Sequence, residues 1–190
     1  MEISNSSINP SSIVNILTLR YDPSINPNLP KKTWKDFEPI EEPVNPTFIE
    51  NSICDEIEKK LNYTNEQEIS IALSGGVDSA LMLSLLRETK PDVKINAVSI
   101  KFANSIDETP IASRIAEKYN ADHHIIDLDN YLSELPKAIS IIKLPFWDLH
   151  WYYVVKKSQT LSKTLISGDG GDELFAGYTF RYKKFLSLTS

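Results

Sequence analysis

The six glycines of this 190-residue chain all fall in two short segments. The first is 74–79, Ser-Gly-Gly-Val-Asp-Ser; the second is 167–177, Ser-Gly-Asp-Gly-Gly-Asp-Glu-Leu-Phe-Ala-Gly. Glycine placed so selectively marks backbone that takes up φ > 0 or approaches another group closely. Both segments also carry hydroxyls and carboxylates, and both follow an apolar, β-like run. Paired glycines let main-chain N–H groups wrap a phosphate, and Ser74 and Ser79 add hydroxyl donors. Asp78 would repel bare phosphate, which makes sense if it binds Mg²⁺ bridging to that phosphate; the alternative is that it merely caps the following helix. Asp169, Asp172 and Glu173 lie within five positions and would repel one another without a cation. The alternative for them is a solvated acidic turn ahead of a helix. The pattern as a whole reads as two loops meeting around a phosphate and a metal ion.

Loops of this kind need a sheet to present them, and the sequence supplies one. Strands are expected at 68–73, 95–102, 123–128 and 164–166. Helices are expected at 47–61, 78–88, 106–119, 131–142 and 149–158. Alternating strands and helices imply right-handed crossovers and a parallel sheet flanked by helices, an α/β fold of Rossmann-like type. Ligands of such sheets sit beyond the carboxyl ends of the strands, where both glycine segments fall.

In the first helix, Thr47 with Glu50 has capping-box spacing, and Ile49, Ile53, Ile57 and Leu61 form one apolar stripe. Cys54, the single cysteine, reads as a small residue on that helix's apolar face. The buried face of 78–88 is expected to carry Leu81, Met82 and Leu85, that of 106–119 Ile111, Ala112 and Ile115, and that of 131–142 Leu132, Leu135, Ile139 and Ile142. Seven of the eleven prolines lie in 1–46, which reads as an irregular arm. Ile13, Ile16, Leu17 and Leu19 suit one short element within it, and Trp34 and Phe37 suit anchors. Residues 47–190 then form one domain that carries both glycine segments.

The chain has a formal net charge of −6 and 41% hydrophobic residues. Its acidity argues against a nucleic-acid partner, which requires clustered Lys and Arg. No apolar run reaches the ~18 residues that span a bilayer, and no charged segment precedes an apolar stretch before Arg20, so no membrane partner and a cytoplasmic location are expected.

The first segment resembles the SGGxDS pyrophosphate loop of the ATP pyrophosphatases. Neither the Walker A spacing nor GxGxxG is present. The second segment, extended through Tyr178, resembles the second nucleotide and substrate motif of the asparagine synthetase family, and the resemblance covers roughly 68–185. It implies an adenine nucleotide alpha hydrolase-like fold and ATP with Mg²⁺. Ser74, Gly75, Gly76 and Ser79 would hold the β and γ phosphates, Asp78 and Asp172 would bind Mg²⁺, and Leu73 and Val98 would contact the adenosine. Ser167 and Gly168 would meet the nucleotide near its α phosphate, and Asp169 would organise the reacting centre together with Asp172.

The implied reaction adenylates a carboxylate, aspartate first among the candidates, and passes it to ammonia as an amide. Family members that use glutamine carry a cysteine nucleophile directly after the initiator Met. Glu2 stands here, so free ammonia or a separate glutaminase is expected. The family's synthetase domain continues past its second motif, so a missing carboxyl-terminal segment is expected too. The alternatives are another ATP pyrophosphatase such as NAD synthetase, and a nucleotide-binding protein without catalysis. A kinase-like transferase is separated by its product, ADP rather than AMP. In 144–153 the aromatic side chains read as core, with Asp148 and His150 as the candidates for substrate contact. His123 and His124 read as one packed and one edge-exposed histidine rather than metal ligands.

Overall fold

In the computed structural model of the protein the described residues are 9–19, 45–63, 66–103, 105–130, 132–142, 149–175, 177–179, 183–184 and 187. The expected anchors Trp34 and Phe37, and the stretch 144–148 with Asp148, lie outside them. The chain divides into two compact units, 1–43 with 136–147, and 44–135 with 148–190.

Within the first unit, α1 (Pro10–Leu19) is the element expected from its apolar residues. Asn9 Oδ1 accepts from the Ser11 N–H at 3.0 Å, and Pro10 takes the first helical position, where a missing N–H costs nothing. Most of a second helix, α5 (Leu135–Ile142), also lies there, with Ala138 buried. That helix starts four residues later than expected; residues 132–134 form a turn and Leu132 is exposed.

The second unit is built on a four-stranded parallel sheet. Its strands are β1 (Glu68–Ala72), β2 (Lys94–Phe102), β3 (Asp122–Leu128) and β4 (Leu165–Ile166), in spatial order β3-β2-β1-β4. The helices α2 (Pro46–Asn62), α3 (Val77–Thr89), α4 (Thr109–Lys118), α6 (Leu149–Ser158) and α7 (Gly171–Phe175) complete it. Strands β2 and β3 run outward to one side of β1, and the chain then returns to place β4 on the other. This reversal makes the gap beyond β1 and β4 the topological switch point, the place where open parallel sheets bind ligands. The register pairs Ile71 with Ile166, so the loops after β1 and β4 leave the sheet at the same level.

The two inner strands, β1 and β2, are the most deeply buried, as apolar runs covered on both faces require. Ile69 and Ile71 are sealed between Leu83, Leu86 and Ile95 of the same core. Ser70, between them on the opposite face, is buried too, and its hydroxyl shares a 2.7 Å hydrogen bond with Ser162 Oγ, which stitches β1 to the segment entering β4. Edge strand β3 alternates its side chains between faces. His123 meets Ser113 of α4, whereas His124 bonds Asn96 and feels the charge of Lys157 on α6. Helices α4 and α6 therefore cover opposite faces. Arg87 of α3 reaches the carbonyls of Tyr119 and Asn120 at 2.9 and 2.8 Å, tying α3 to the end of α4. Asn120 takes the left-handed turn there at φ 52°, a position that often goes to glycine.

Three further details depart from the sequence reading. Helix α2 starts at Pro46, not Thr47, because Asn45 Oδ1 caps the Thr47 N–H at 3.0 Å; the capping box of Thr47 and Glu50 is not the cap. Its stripe holds, with Ile57 and Leu61 buried and Ile53 and Cys54 packed against the core. In α3 the buried face is Leu83, Leu85 and Leu86, while Leu81 is 40% exposed. Helix α4 starts at Thr109 rather than Ile106 and buries Ala112 and Ala116, leaving Ile111 half out. In both helices the apolar set spans more than one face, so spacing alone did not fix which face turns inward.

Candidate active site at the sheet's switch point

The loop after β1 is shaped by its two serines. Ser79, buried in the first turn of α3, accepts the Ser74 N–H at 3.1 Å. The two hydroxyls lie 3.0 Å apart, and Ser74 Oγ in turn accepts the Gly76 N–H at 3.1 Å. The hydroxyl of Ser79 also faces the carbonyls of Ser74 and Gly76. Much of its hydrogen-bonding capacity therefore goes into loop shape. Gly76 is the N-cap of α3, and no side chain caps that helix. Asp78 is thus not the cap; it sits in the first turn, where the helix dipole favours an anion.

Beneath the loop, Leu73 donates its N–H to Val98 O at 2.9 Å and accepts from Ser99 Oγ at 2.6 Å. Ser99 Oγ is also 2.8 Å from His123 Nε2, and His123 Nδ1 is 2.9 Å from Ser113 Oγ. A hydroxyl has one proton, and Leu73 O takes it. His123 must then be protonated on Nε2 and accept from Ser113 on Nδ1. Burial holds the His123 pKa below its ordinary value, with a smaller contribution from His124, which favours this neutral form.

The loop after β4 comes against the first loop so closely that side chains do not fit between. A Cβ on Gly168 would stand 2.9 Å from both the carbonyl carbon of Asp78 and the N of Ser79. A Cβ on Gly171 would stand 2.8 Å from Asp78 Cγ. Gly170 takes φ +92°. The short helix α7 follows, and the Gly177 N–H returns to Asp172 O at 3.0 Å. A side chain at Gly177 would collide with the Asp172 carboxylate.

Between the loops and the sheet lies a cleft of about 360 Å³, in the range of small-molecule sites. Leu73, Ser74, Asp78, Ser79, Val98, Ser167, Gly168 and Asp169 line it, all of them expected at the site. Gly75, Gly76 and Asp172 belong to the same two loops but do not line it. One wall is apolar, made by Val98, Ile100, Phe102, Trp151 and Val154. His150 lines the cleft as well, while Tyr152 and Tyr153 are core.

Sequence reasoning missed Glu108, whose Oε2 accepts the Gly75 N–H at 3.2 Å, and Ser99, which holds Leu73. Neither stands in a motif; each meets a partner far away in the sequence, Ser99 across the β1–β2 pair and Glu108 from the start of α4. Among the described residues no three His, Cys, Asp or Glu side chains converge to hold a metal. Mg²⁺ that arrives with a nucleotide needs no such cage, because one or two carboxylates and the phosphates themselves complete its shell. Asp78, with Gly171 leaving its carboxylate room, has the donor type for that task.

A parallel sheet in this order, with two glycine loops at its switch point, defines an adenine nucleotide alpha hydrolase-like fold. Solved structures share it. The NMN synthetase of Francisella tularensis superposes with a TM-score of 0.53 at 23% identity, covering 72% of this chain and 59% of that one. A glutamine-dependent NAD⁺ synthetase of Acinetobacter baumannii, in complex with ADP, gives 0.53 at 17%, covering 74% and 29%. The sequence profile described as asparagine synthase matches residues 59–189, and the chain belongs to that family. It is 29% identical over 143 residues to a glutamine-hydrolysing asparagine synthetase of Bacillus subtilis, covering 72% of this chain and 22% of that protein. It is 30% identical over 124 residues to a Methanocaldococcus jannaschii protein provisionally named as another, covering 63% and 24%. The chain therefore spans about a quarter of the length of these relatives. Among the described residues no helix is long and apolar enough to cross a membrane.

Proposed function

We propose that this chain carries the synthetase site of an ATP-dependent amide-forming enzyme, which adenylates aspartate and releases pyrophosphate and then AMP. The observation that carries the reading is the meeting of the two loops, with Gly168 and Gly171 bare against Asp78 and Ser79. Family membership supports the reaction class, and the ADP held by the Acinetobacter enzyme supports a nucleotide in the cleft.

In this reading Gly75 and Gly76 present main-chain donors to the β and γ phosphates, with Ser74 and Ser79 setting the loop's shape. Leu73 and Val98 hold the adenosine portion, and Ser167 and Gly168 lie at the α phosphate. A carboxylate oxygen of the acceptor attacks the α phosphorus. The bond to the β-phosphate oxygen breaks, and its electron pair leaves with pyrophosphate. Ammonia, free or released from glutamine by another domain or protein, then attacks the acyl carbon. AMP departs with the electrons of the carbon–oxygen bond, and the nitrogen loses a proton to the surroundings. Asp78 and Asp172 would hold Mg²⁺, which would screen charge developing on the phosphates. The work left to the protein is alignment and electrostatic stabilisation, and Asp169 at the cleft's edge is positioned to take part in it. A cytoplasmic setting suits the ATP requirement.

The test is aspartate-dependent exchange of labelled pyrophosphate into ATP, run with Mg²⁺ on this chain and on Asp172→Ala. Exchange that needs aspartate and vanishes in the variant supports the reading. Exchange with deamidated NAD in place of aspartate would move the chain to the chemistry of its structural neighbours, and ADP as product would overturn adenylation.

A further inference from the structure

Asp107 and Glu108 stand side by side at the start of α4, and their carboxylates are used differently. Asp107 Oδ1 accepts from Thr109 N at 3.0 Å and from Thr109 Oγ at 2.6 Å, and its other oxygen lies 3.8 Å from Lys101 Nζ. Those hydrogen bonds hold its carboxyl below the usual range and start the helix. Glu108, although it occupies the N-cap position, makes no side-chain cap bond. Its carboxylate instead crosses to the loop after β1, 33 positions away, and takes the Gly75 N–H at 3.2 Å. That N–H belongs to the glycine pair whose bare backbone suits a phosphate. The cleft that Glu108 lines already holds Asp78 and Asp169.

Resting on the reading that this loop receives the nucleotide's phosphates, we propose that Glu108 is a stand-in anion. It takes up a phosphate donor, the Gly75 N–H, and must be displaced for polyphosphate to bind. Two anions cannot share one N–H, and their charges repel across the same few ångströms. The Glu108 contact keeps the Gly75 N–H bonded when no nucleotide is present. The charge repulsion from Glu108 also weighs more on a metal-free polyphosphate than on a cation-loaded one, so the site favours the cation complex.

Calorimetric titration of inorganic pyrophosphate into the full chain, into Glu108→Gln and into Glu108→Ala, with and without Mg²⁺, tests this. Glu108 is exposed, and the Gln variant keeps its shape, so folding is retained. Both variants should bind metal-free pyrophosphate about tenfold more tightly than the parent chain, Ala at least as strongly as Gln. The gain should shrink with Mg²⁺ and with added salt. Parent-level or weaker binding in both variants, where the parent chain does bind, overturns the stand-in role and leaves the phosphate reading intact. No binding by any of the three, with or without Mg²⁺, overturns the phosphate reading and the proposal with it.

Discussion

The loop after β1 leaves a five-residue strand buried along its middle, is shaped by Ser74 and Ser79, and leads into a thirteen-residue helix. The loop after β4 leaves a two-residue strand and leads into a five-residue helix with no buried residue. Its Asp169, Glu173 and Leu174 are exposed. The first loop is organised by its own side chains; the second is positioned largely by lying against the first, through Gly168 and Gly171. A site made this way has one half held by its own hydrogen bonds and one half held by contact, in which the Glu173 carboxylate accepts from the Tyr178 hydroxyl at 2.6 Å. That suits a reaction in which phosphates must be gripped while the reacting centre adjusts around them.

The contrast is broken most directly at Asp78, the residue both loops touch. Asp78→Ala should lower ATP–pyrophosphate exchange by about 100-fold or more and remove its Mg²⁺ dependence, measured at saturating ATP. Retained exchange would mean that the meeting of the loops does not serve phosphate chemistry. Next in size is Gly168→Ala, whose new Cβ would press on the main chain of Asp78 and Ser79 and force the loops apart. A stability loss of about 1–3 kcal/mol and markedly weaker ATP binding are expected from denaturant titration and calorimetry. Gly170 has open space around it, so Gly170→Ala should cost about 1 kcal/mol through its positive φ alone.

Ser79→Ala should lower stability by about 0.5–1.5 kcal/mol, because the Ser74 N–H loses its part-buried acceptor and the first turn of α3 loses its tie to the loop. If the melting temperature were unchanged, the first loop would not be the self-organised half. The gentlest probe is pH. Burial lowers the pKa of both His123 and His124 from the ordinary 6.5; for His124 the neighbouring Lys157 and Lys94 add to this and Asp122 opposes it. The unfolded chain therefore binds protons first as pH falls. The stability these residues contribute is complete above about 6.5 and is lost as pH drops below it through the folded values. Melting temperatures taken at pH 7.5 and 5.5 should fall toward acid. The fall should be shallower in a His123→Gln, His124→Gln double variant.

The alternation of apolar runs and glycine segments made the parallel sheet legible, along with the place of the two loops, whereas Leu73, Val98, Ser167 and Gly168 were reached only through the resemblance to the asparagine synthetase family. Positions whose role depends on a neighbour one or two residues away were harder. Asn45 outcompeted Thr47 as the cap of α2 because Pro46 fits the first helical position. The late start of α4 follows from Asp107 bonding Thr109 rather than from any period in the sequence. Glu108 and Ser99 were not legible at all. Ser99 acquires its partner through the alignment of β1 with β2, and Glu108 through the place of the start of α4 beside the loop after β1; a lone Glu or Ser carries no sign of either.

The strand order also has a consequence for how the molecule comes into being. Strands β1, β2 and β3 pair with neighbours in sequence, but the second edge of β1 waits for β4, and the Ser70–Ser162 bond closes a span of 92 positions. Closing a long loop is entropically costly and slow, so such pairings form late. During synthesis the first loop would be in place while the chain for the second is still being made. Until β4 docks, the unsatisfied edge of β1 is an exposed adhesive strip on a newborn protein, and the step that completes the site is the same step that hides it.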